Sequence, residues 1–277
     1  MKKIIAKASS DQQIEDRKQK GADGIEWQIL KNSQQINNYT LPILSVHTIL
    51  EDNTEVAIDE CFYEYTKDKE KSRKRRQRII EAFKIAEEIA RIQNHRVLVV
   101  VHLNQVIIPN TKLLQFINQL FFYFPNTDLA IENTTLIHKD LIYRTGADPD
   151  SVPIFVRLMR ELLNTNRIYS VIDICHALGS IREKDFFFHM KEDELKGLEN
   201  YLIKTAPYCK IVHFNYLKNI GYGQDHGTVF TDEAIKRIFP MIEKYVPNAN
   251  FVIEVREENY LNALNFKKTV DQLKKFF

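Results

Sequence analysis

The chain has 277 residues, of which 44% are hydrophobic and 27% charged, and its formal net charge is +2. These near-average values supply a large core and exclude global disorder, and the near-zero balance gives no support for nucleic-acid binding through bulk charge. Three cysteines, Cys61, Cys175 and Cys209, are too few and too unpatterned for a disulfide framework or a cysteine zinc site, so a reduced cytoplasmic setting is the default expectation.

Residues 3–8 read as a first strand. The opening Met1-Lys2-Lys3-Ile4-Ile5 looks like the start of a leader, but charged and polar residues from Lys7 onward cut the apolar segment short. Nowhere is there a run long enough to span a membrane. Ser9-Ser10-Asp11 followed by Gln12 to Glu15 predicts a capped helix start, with Gly21 as its stop. Gly24-Ile25-Glu26-Trp27 predicts a short second strand ending at Glu26 and Trp27, and a third strand leads to His47. A long helix is expected over 66–93, with Ile79, Ile80, Phe83, Ile85, Ala86 and Ile89 as its apolar stripe. Its basic stretch over 71–78 reads as a solvated face rather than an anion contact.

The pattern repeats. A strand ending at His102 precedes a helix over 111–124, and one ending at Glu132 precedes an excursion through Gly146 and Pro149 into a helix over 154–163. A strand reaching Asp173 and His176 precedes helical sequence over 184–204, and one ending at His213 precedes a helix over 232–245. A last strand ends at Glu254 before an amphipathic helix over 260–276. Continuous β-branched runs such as Leu98-Val99-Val100-Val101 mark strands buried on both faces, as parallel sheets covered by helices require. The alternation implies α/β architecture with right-handed crossovers, and the length suits a single-domain (β/α)8 TIM barrel over residues 1–277. An open doubly wound sheet is the rival. It lacks support, because no Gly-rich phosphate turn follows the first strand and the chain has only eight glycines.

In a barrel the carboxyl ends of the strands converge on one mouth, where enzymes of this architecture keep their sites. Glu132, Asp173, His213 and Glu254 end four successive strands and would form an arc there. Three carboxylates and an imidazole suit a divalent ion such as manganese, cobalt, magnesium or zinc, and without it the carboxylates would raise one another's pKa. His176 lies three residues after Asp173 and could overhang the same cavity, while Cys175 between them reads as a packing residue. His47 and His102 occupy matching strand ends and are candidate substrate contacts. Glu26 is a further candidate, and Trp27 fits either pocket or core. His95 belongs to the opposite end, and His138 and His189 to loop or helix surface. Phe186-Phe187-Phe188 reads either as an interface cluster or as packing of helix against barrel, with packing the expectation.

Ala-Ile-Glu132-Asn, Asp173-Ile-Cys-His176, Val-His213-Phe-Asn and Ile-Glu254-Val together resemble the xylose-isomerase-like barrels, a superfamily of sugar epimerases and isomerases, a dehydratase and endonuclease-IV-type apurinic endonucleases. The likeness spans essentially the whole chain, and Gly-Ala-Asp-Gly-Ile-Glu26 resembles the second strand of the sugar enzymes. For the epimerase branch the resemblance implies that Glu132, Asp173, His213 and Glu254 hold one metal and that Glu132 and Glu254 serve as acid and base. They would shuttle a proton through a metal-stabilised enediolate of a small sugar, sugar phosphate or hydroxy-keto acid. His176, His47, His102, Glu26 and Arg256 would then touch the carbohydrate substrate. For the endonuclease branch the same residues would join His47, His102 and His226 around as many as three zinc ions that cleave abasic DNA. The Asp-x-His pair of those enzymes is replaced here by Gln224-Asp225-His226 after a shorter approach loop, which leaves one expected carboxylate unmatched and makes His226 and Asp225 candidates for additional ligands only. The sequence-based expectation is the isomerase or epimerase, with the endonuclease and a non-catalytic sugar-binding barrel as alternatives. Assembly as a homo-oligomer is left open.

Overall fold

The computed structural model describes residues 3–30, 35–49, 56–62, 69–105, 108–136, 144–217 and 227–276. Eight parallel strands close into a barrel in sequence order: β1 (Ile4–Ala8), β2 (Gly24–Ile29), β3 (Ile43–Thr48), β4 (Val97–His102), β5 (Thr127–Glu132), β6 (Ile168–Asp173), β7 (Cys209–Phe214) and β8 (Asn250–Ile253). Closure is made by β1 on β8, with Ile5 opposite Val252. The helices are α1 (Asp11–Gln19), α2 (Lys69–Gln93), α3 (Thr111–Tyr123), α4 (Ser151–Leu163), α5 (Ile174–Phe188), α6 (Glu194–Thr205), α7 (Asp232–Tyr245) and α8 (Leu264–Leu273). The closed barrel, rather than the open sheet, is therefore the architecture, and no described helix is long and apolar enough to cross a membrane.

Side chains alternate between two cores, as period-two strands demand. Residues such as Ala6, Val99, Val101, Ile131, Val212, Phe251 and Ile253 face the helices in one continuous apolar shell. Inside the barrel sits a separate layer of Ile5, Val100, Ala130, Val171, Ile211 and Val252. Two positions further along the same six strands are Lys7, His102, Glu132, Asp173, His213 and Glu254. One apolar plug thus forms the floor on which the polar residues of the mouth stand.

Local signals explain most element ends. Ser10 caps α1 by accepting the Gln13 N–H, Gln13 Oε1 answers with the Ser9 N–H, and Gly21 supplies a φ of +95° that a side chain would resist. Several sequence expectations need correction. β2 does not end at Glu26 and Trp27 but runs on to Ile29, with a register shift against β3 at Ile25 and Glu26. The helical stretch expected over 184–204 is two helices. α5 starts at Ile174, directly after Asp173, and stops where His189 turns left-handed, and Asp193 then caps α6. The basic run on α2 is not wholly a solvated face: Arg75 is buried against Glu60, and Arg76 donates to the Cys61 carbonyl at 2.5 Å, pinning the short 3-10 turn Asp59–Cys61. Phe186 and Phe188 are 63% and 48% exposed, so they do not pack α5 on the barrel as expected.

Candidate metal centre at the barrel mouth

The mouth gathers most of the residues that the sequence nominated, and Glu132 is their hub. One fully buried carboxylate lies against four imidazoles: His47 Nε2 at 3.2 Å, His213 Nδ1 at 3.1 Å, His102 Nε2 at 3.5 Å and His176 Nδ1 at 3.6 Å. Three groups of ligand type have donor atoms close enough to share an ion: His47, His102 and Glu132; Glu132, Asp173, His213 and Glu254; and Glu26, His47 and His213. Glu132 belongs to the first two. The donor set fits divalent ions, because His213 Nδ1 lies 3.1, 3.2 and 3.8 Å from oxygens of Glu132, Glu254 and Asp173, more acceptors than one N–H can satisfy. The buried Nδ1 of His47 likewise has no hydrogen-bond partner among the described residues.

A surrounding shell of hydrogen bonds orients these groups. Glu26, in mid-strand and fully buried, accepts from Ser45 Oγ at 2.7 Å and faces His213 Nε2 at 3.3 Å. Holding the Nε2 proton of His213 leaves Nδ1 for an ion, the arrangement by which a carboxylate fixes a ligating imidazole. His176 Nδ1 is 2.8 Å from the Asn133 carbonyl, and His176 belongs to none of the three groups. Asp173 caps α5 through the His176 N–H at Oδ1 and accepts from Asn215 Nδ2 at Oδ2, while Asn133 clamps its backbone from β5. Asn133 and Asn215 were missed in the sequence reading. Their signal was available, since each follows a ligand strand end, in Glu132-Asn133 and His213-Phe-Asn215.

The second omission is Lys7. Its ammonium sits 2.6 Å from Glu254 Oε1 and 3.5 Å from Glu26 Oε1. Burial works against that charge, yet Glu254 and Glu26 hold it above the usual lysine range. Burial alone would raise the Glu26 carboxyl, but His213 and Lys7 bring it down to about 2. His213 is driven down by burial and raised well above its ordinary value by Glu132 and Glu26, whereas burial and Lys7 keep His47 below its own.

The remaining nominated residues fall elsewhere. Trp27 is buried in the outer apolar shell and plays the core role of its two readings. Arg256 lies on the exposed stretch after β8, its backbone N–H donating to Gly227. His95 is at the opposite end, against the Arg96 carbonyl, and His189 is an exposed helix cap. Asp225, His226 and His138 lie outside the described residues.

A closed parallel barrel whose strand ends carry this set has the fold of the xylose-isomerase-like barrels. Endonuclease IV from Thermus thermophilus superposes with a TM-score of 0.59 at 15% identity, covering 99% of both chains. L-ribulose 3-epimerase matches with a TM-score of 0.56 at 10% identity over 100% of this chain and 97% of its own. A xylose isomerase domain protein from Salmonella typhimurium gives 0.56 at 8% identity, over 99% and 97%. At such identities the likeness establishes the shared fold. No protein-family model and no curated protein sequence matches the chain.

Proposed function

We propose that the protein is a metal-dependent phosphodiesterase working with two divalent ions, to each of which Glu132 would contribute as a ligand. The observation that carries this reading is the membership of Glu132 in two ligand groups, one with His47 and His102 and the other with Asp173, His213 and Glu254. A one-ion isomerase, the expectation from sequence, needs only the second group as ligands and would use His47 and His102 as substrate contacts, although both are buried and within reach of Glu132. Charge points the same way. Glu26, Glu132, Asp173 and Glu254 bring four negative charges and Lys7 one positive, so a single divalent ion leaves the site anionic and hostile to phosphate, whereas two ions reverse its sign. The likeness to an endonuclease IV over 99% of both chains supports the choice of abasic DNA as the first substrate to assay.

The ions, once bound, would supply Lewis-acid stabilisation of charge on the reacting oxygens. The chain's own residues do the rest. His213 is held by Glu26 and His176 by Asn133, so both imidazoles are fixed in orientation. Glu254, the most open carboxylate of the set at 23% exposure, takes the proton of the attacking water. The water oxygen bonds to phosphorus as the bond to the leaving sugar oxygen breaks. Buried Glu132, which burial would raise but His213 and His102 hold well below the usual carboxylate range, stays ionised at the heart of the centre.

A second reading, the isomerase or epimerase of a small sugar, sugar phosphate or hydroxy-keto acid, is favoured by one feature. Glu132 and Glu254 approach the same His213 nitrogen from β5 and β8, as a pair that removes and returns a proton would. The likeness to L-ribulose 3-epimerase supports it. Elemental analysis of protein purified without chelators, paired with assays on an abasic duplex and on ketoses in heavy water, decides between them. The phosphodiesterase predicts about two ions per chain, zinc foremost, with strand cleavage. About one manganese, cobalt or magnesium ion with deuterium exchange into a ketose would establish the isomerase instead. Bound metal with neither activity would leave a sugar-binding barrel.

A further inference from the structure

Three arginines are buried among the described residues, and two of them are paired, Arg17 with Asp16 and Arg75 with Glu60. The third, Arg144, is 9% exposed and has no carboxylate within ion-pair distance among those residues. A guanidinium keeps its charge at every working pH, and a charge withdrawn from water without a partner is costly. The loop that carries Arg144 is firmly seated. Gly146 donates its N–H to the Asn104 carbonyl at 2.9 Å and lies so close to the end of β4 that a Cβ there would meet the Leu103 oxygen at 1.9 Å. On the other side Arg144 Nη1 donates to Thr134 Oγ1 at 2.7 Å. Leu103 follows His102 and Thr134 lies two residues past Glu132, so Arg144 stands between the ends of β4 and β5 that supply two members of the first ligand group. The Nε and Nη2 edge of its guanidinium remains open: it makes no hydrogen bond among the described residues and, unlike Lys7 Nζ, is not sealed from solvent. Elsewhere in the chain this same edge grips a two-oxygen anion, as Arg182 holds both oxygens of Glu194 at 2.9 Å.

We propose that Arg144 is a substrate-binding residue whose open guanidinium edge takes the phosphate oxygens of the substrate beside the group of His47, His102 and Glu132. This deepens the phosphodiesterase reading and rests on it for the identity of the anion. A phosphodiester carries two non-bridging oxygens, the geometry that a planar fork of N–H donors matches. The substrate then supplies the counter-charge that the chain withholds from Arg144, and the assignment requires no particular number of ions.

The test measures ions per chain, thermal unfolding and calorimetric binding of dimethyl phosphate, inorganic phosphate and glycolate for metal-loaded wild type, Arg144→Met and Arg144→Gln. The expected result is unchanged metal content and a stability equal to or above wild type, since an unpaired buried charge is removed, with both phosphates bound about tenfold or more weakly. Arg144→Gln keeps a donor for Thr134 without the charge, so it reports even if Arg144→Met does not fold. Wild-type phosphate affinity in a folded, loaded variant would overturn the assignment, and a loss of stability beside that affinity would make Arg144 a brace of its loop. Loss of ions from both variants would overturn it too, as would weakened binding of glycolate alone, which would give Arg144 to a carboxylate substrate. If loaded wild type binds neither phosphate, the phosphodiesterase reading fails together with this one, whereas equal binding by wild type and variants removes Arg144 alone.

Discussion

The two ends of the barrel use the same residue types to opposite effect. At the amino end, Asp128 accepts from Arg96 and Arg167, and Arg167 also donates to the carbonyls of Phe121 and Phe124 at 2.9 and 2.7 Å. Glu87 beside them accepts from Asn126 N, Asn126 Nδ2 and Thr127 Oγ1 at 2.9, 2.8 and 3.1 Å. Donors and acceptors there match, and the network closes the barrel bottom. At the mouth, four carboxylates face four imidazoles and one ammonium, and the acceptors outnumber the protons that could satisfy them. Balanced polar networks support structure. An unbalanced one, assembled at the cost of burying like charges, has the donor set that could hold a cation.

Breaking the hub of the mouth should have the largest effect. Glu132→Ala removes the ligand common to both groups, so chelator-free preparations are expected to lose metal at both positions and all turnover. Retention of one ion would show that Glu132 is not shared. Next in size is Glu26→Gln: Glu26 lies outside both groups that contain Glu132, but its replacement releases the His213 imidazole. Metal affinity should fall about 10–100-fold, as for other outer carboxylates, measured by competition with a chromophoric chelator. An unchanged affinity would detach Glu26 from the centre.

At the opposite end, Asp128→Ala leaves Arg96 and Arg167 without their shared acceptor. A stability loss of about 1–3 kcal/mol in urea is expected, with the turnover of the folded protein intact. Lost turnover at full stability would abolish the distinction between the ends. The smallest signal is a pH effect in metal-free protein. Because the folded Glu26 carboxyl is depressed to about 2 from an ordinary 4.5, its contribution is complete above about pH 4.5 and is lost as pH falls toward 2. Wild type should therefore lose more stability than Glu26→Gln across that window, and parallel curves would contradict the depression.

How legible the site was follows from the kind of signal each residue left. His102, Glu132, Asp173, His213 and Glu254 could be found because an apolar run ends in a metal-ligand side chain. Lys7 escaped because it sits inside a short run, Ile4-Ile5-Ala6-Lys7-Ala8, and is not a ligand type. Its clue was positional, two residues beyond Ile5 on the face that points into the barrel. Glu26 was seen but placed too near the strand end, since the register shift between β2 and β3 leaves no trace in composition. Phe186 and Phe188 read as packing residues by hydrophobicity alone, and their exposure depends on where α5 stops.

The sequence by itself determined the alternation of strands and helices, the order of the crossovers and the chemical kind of residue at each strand end. These are local properties, written in apolar runs of period two, caps and stops. Tertiary structure alone decided that the strand ends converge, that Glu132 belongs to two groups that could hold an ion, and that Lys7 pairs with Glu254. The physical reason is distance along the chain. His213 meets Glu132 and Glu26 from 81 and 187 positions away, and only closure of β1 onto β8 brings Glu26 on β2 within hydrogen-bonding reach of β7.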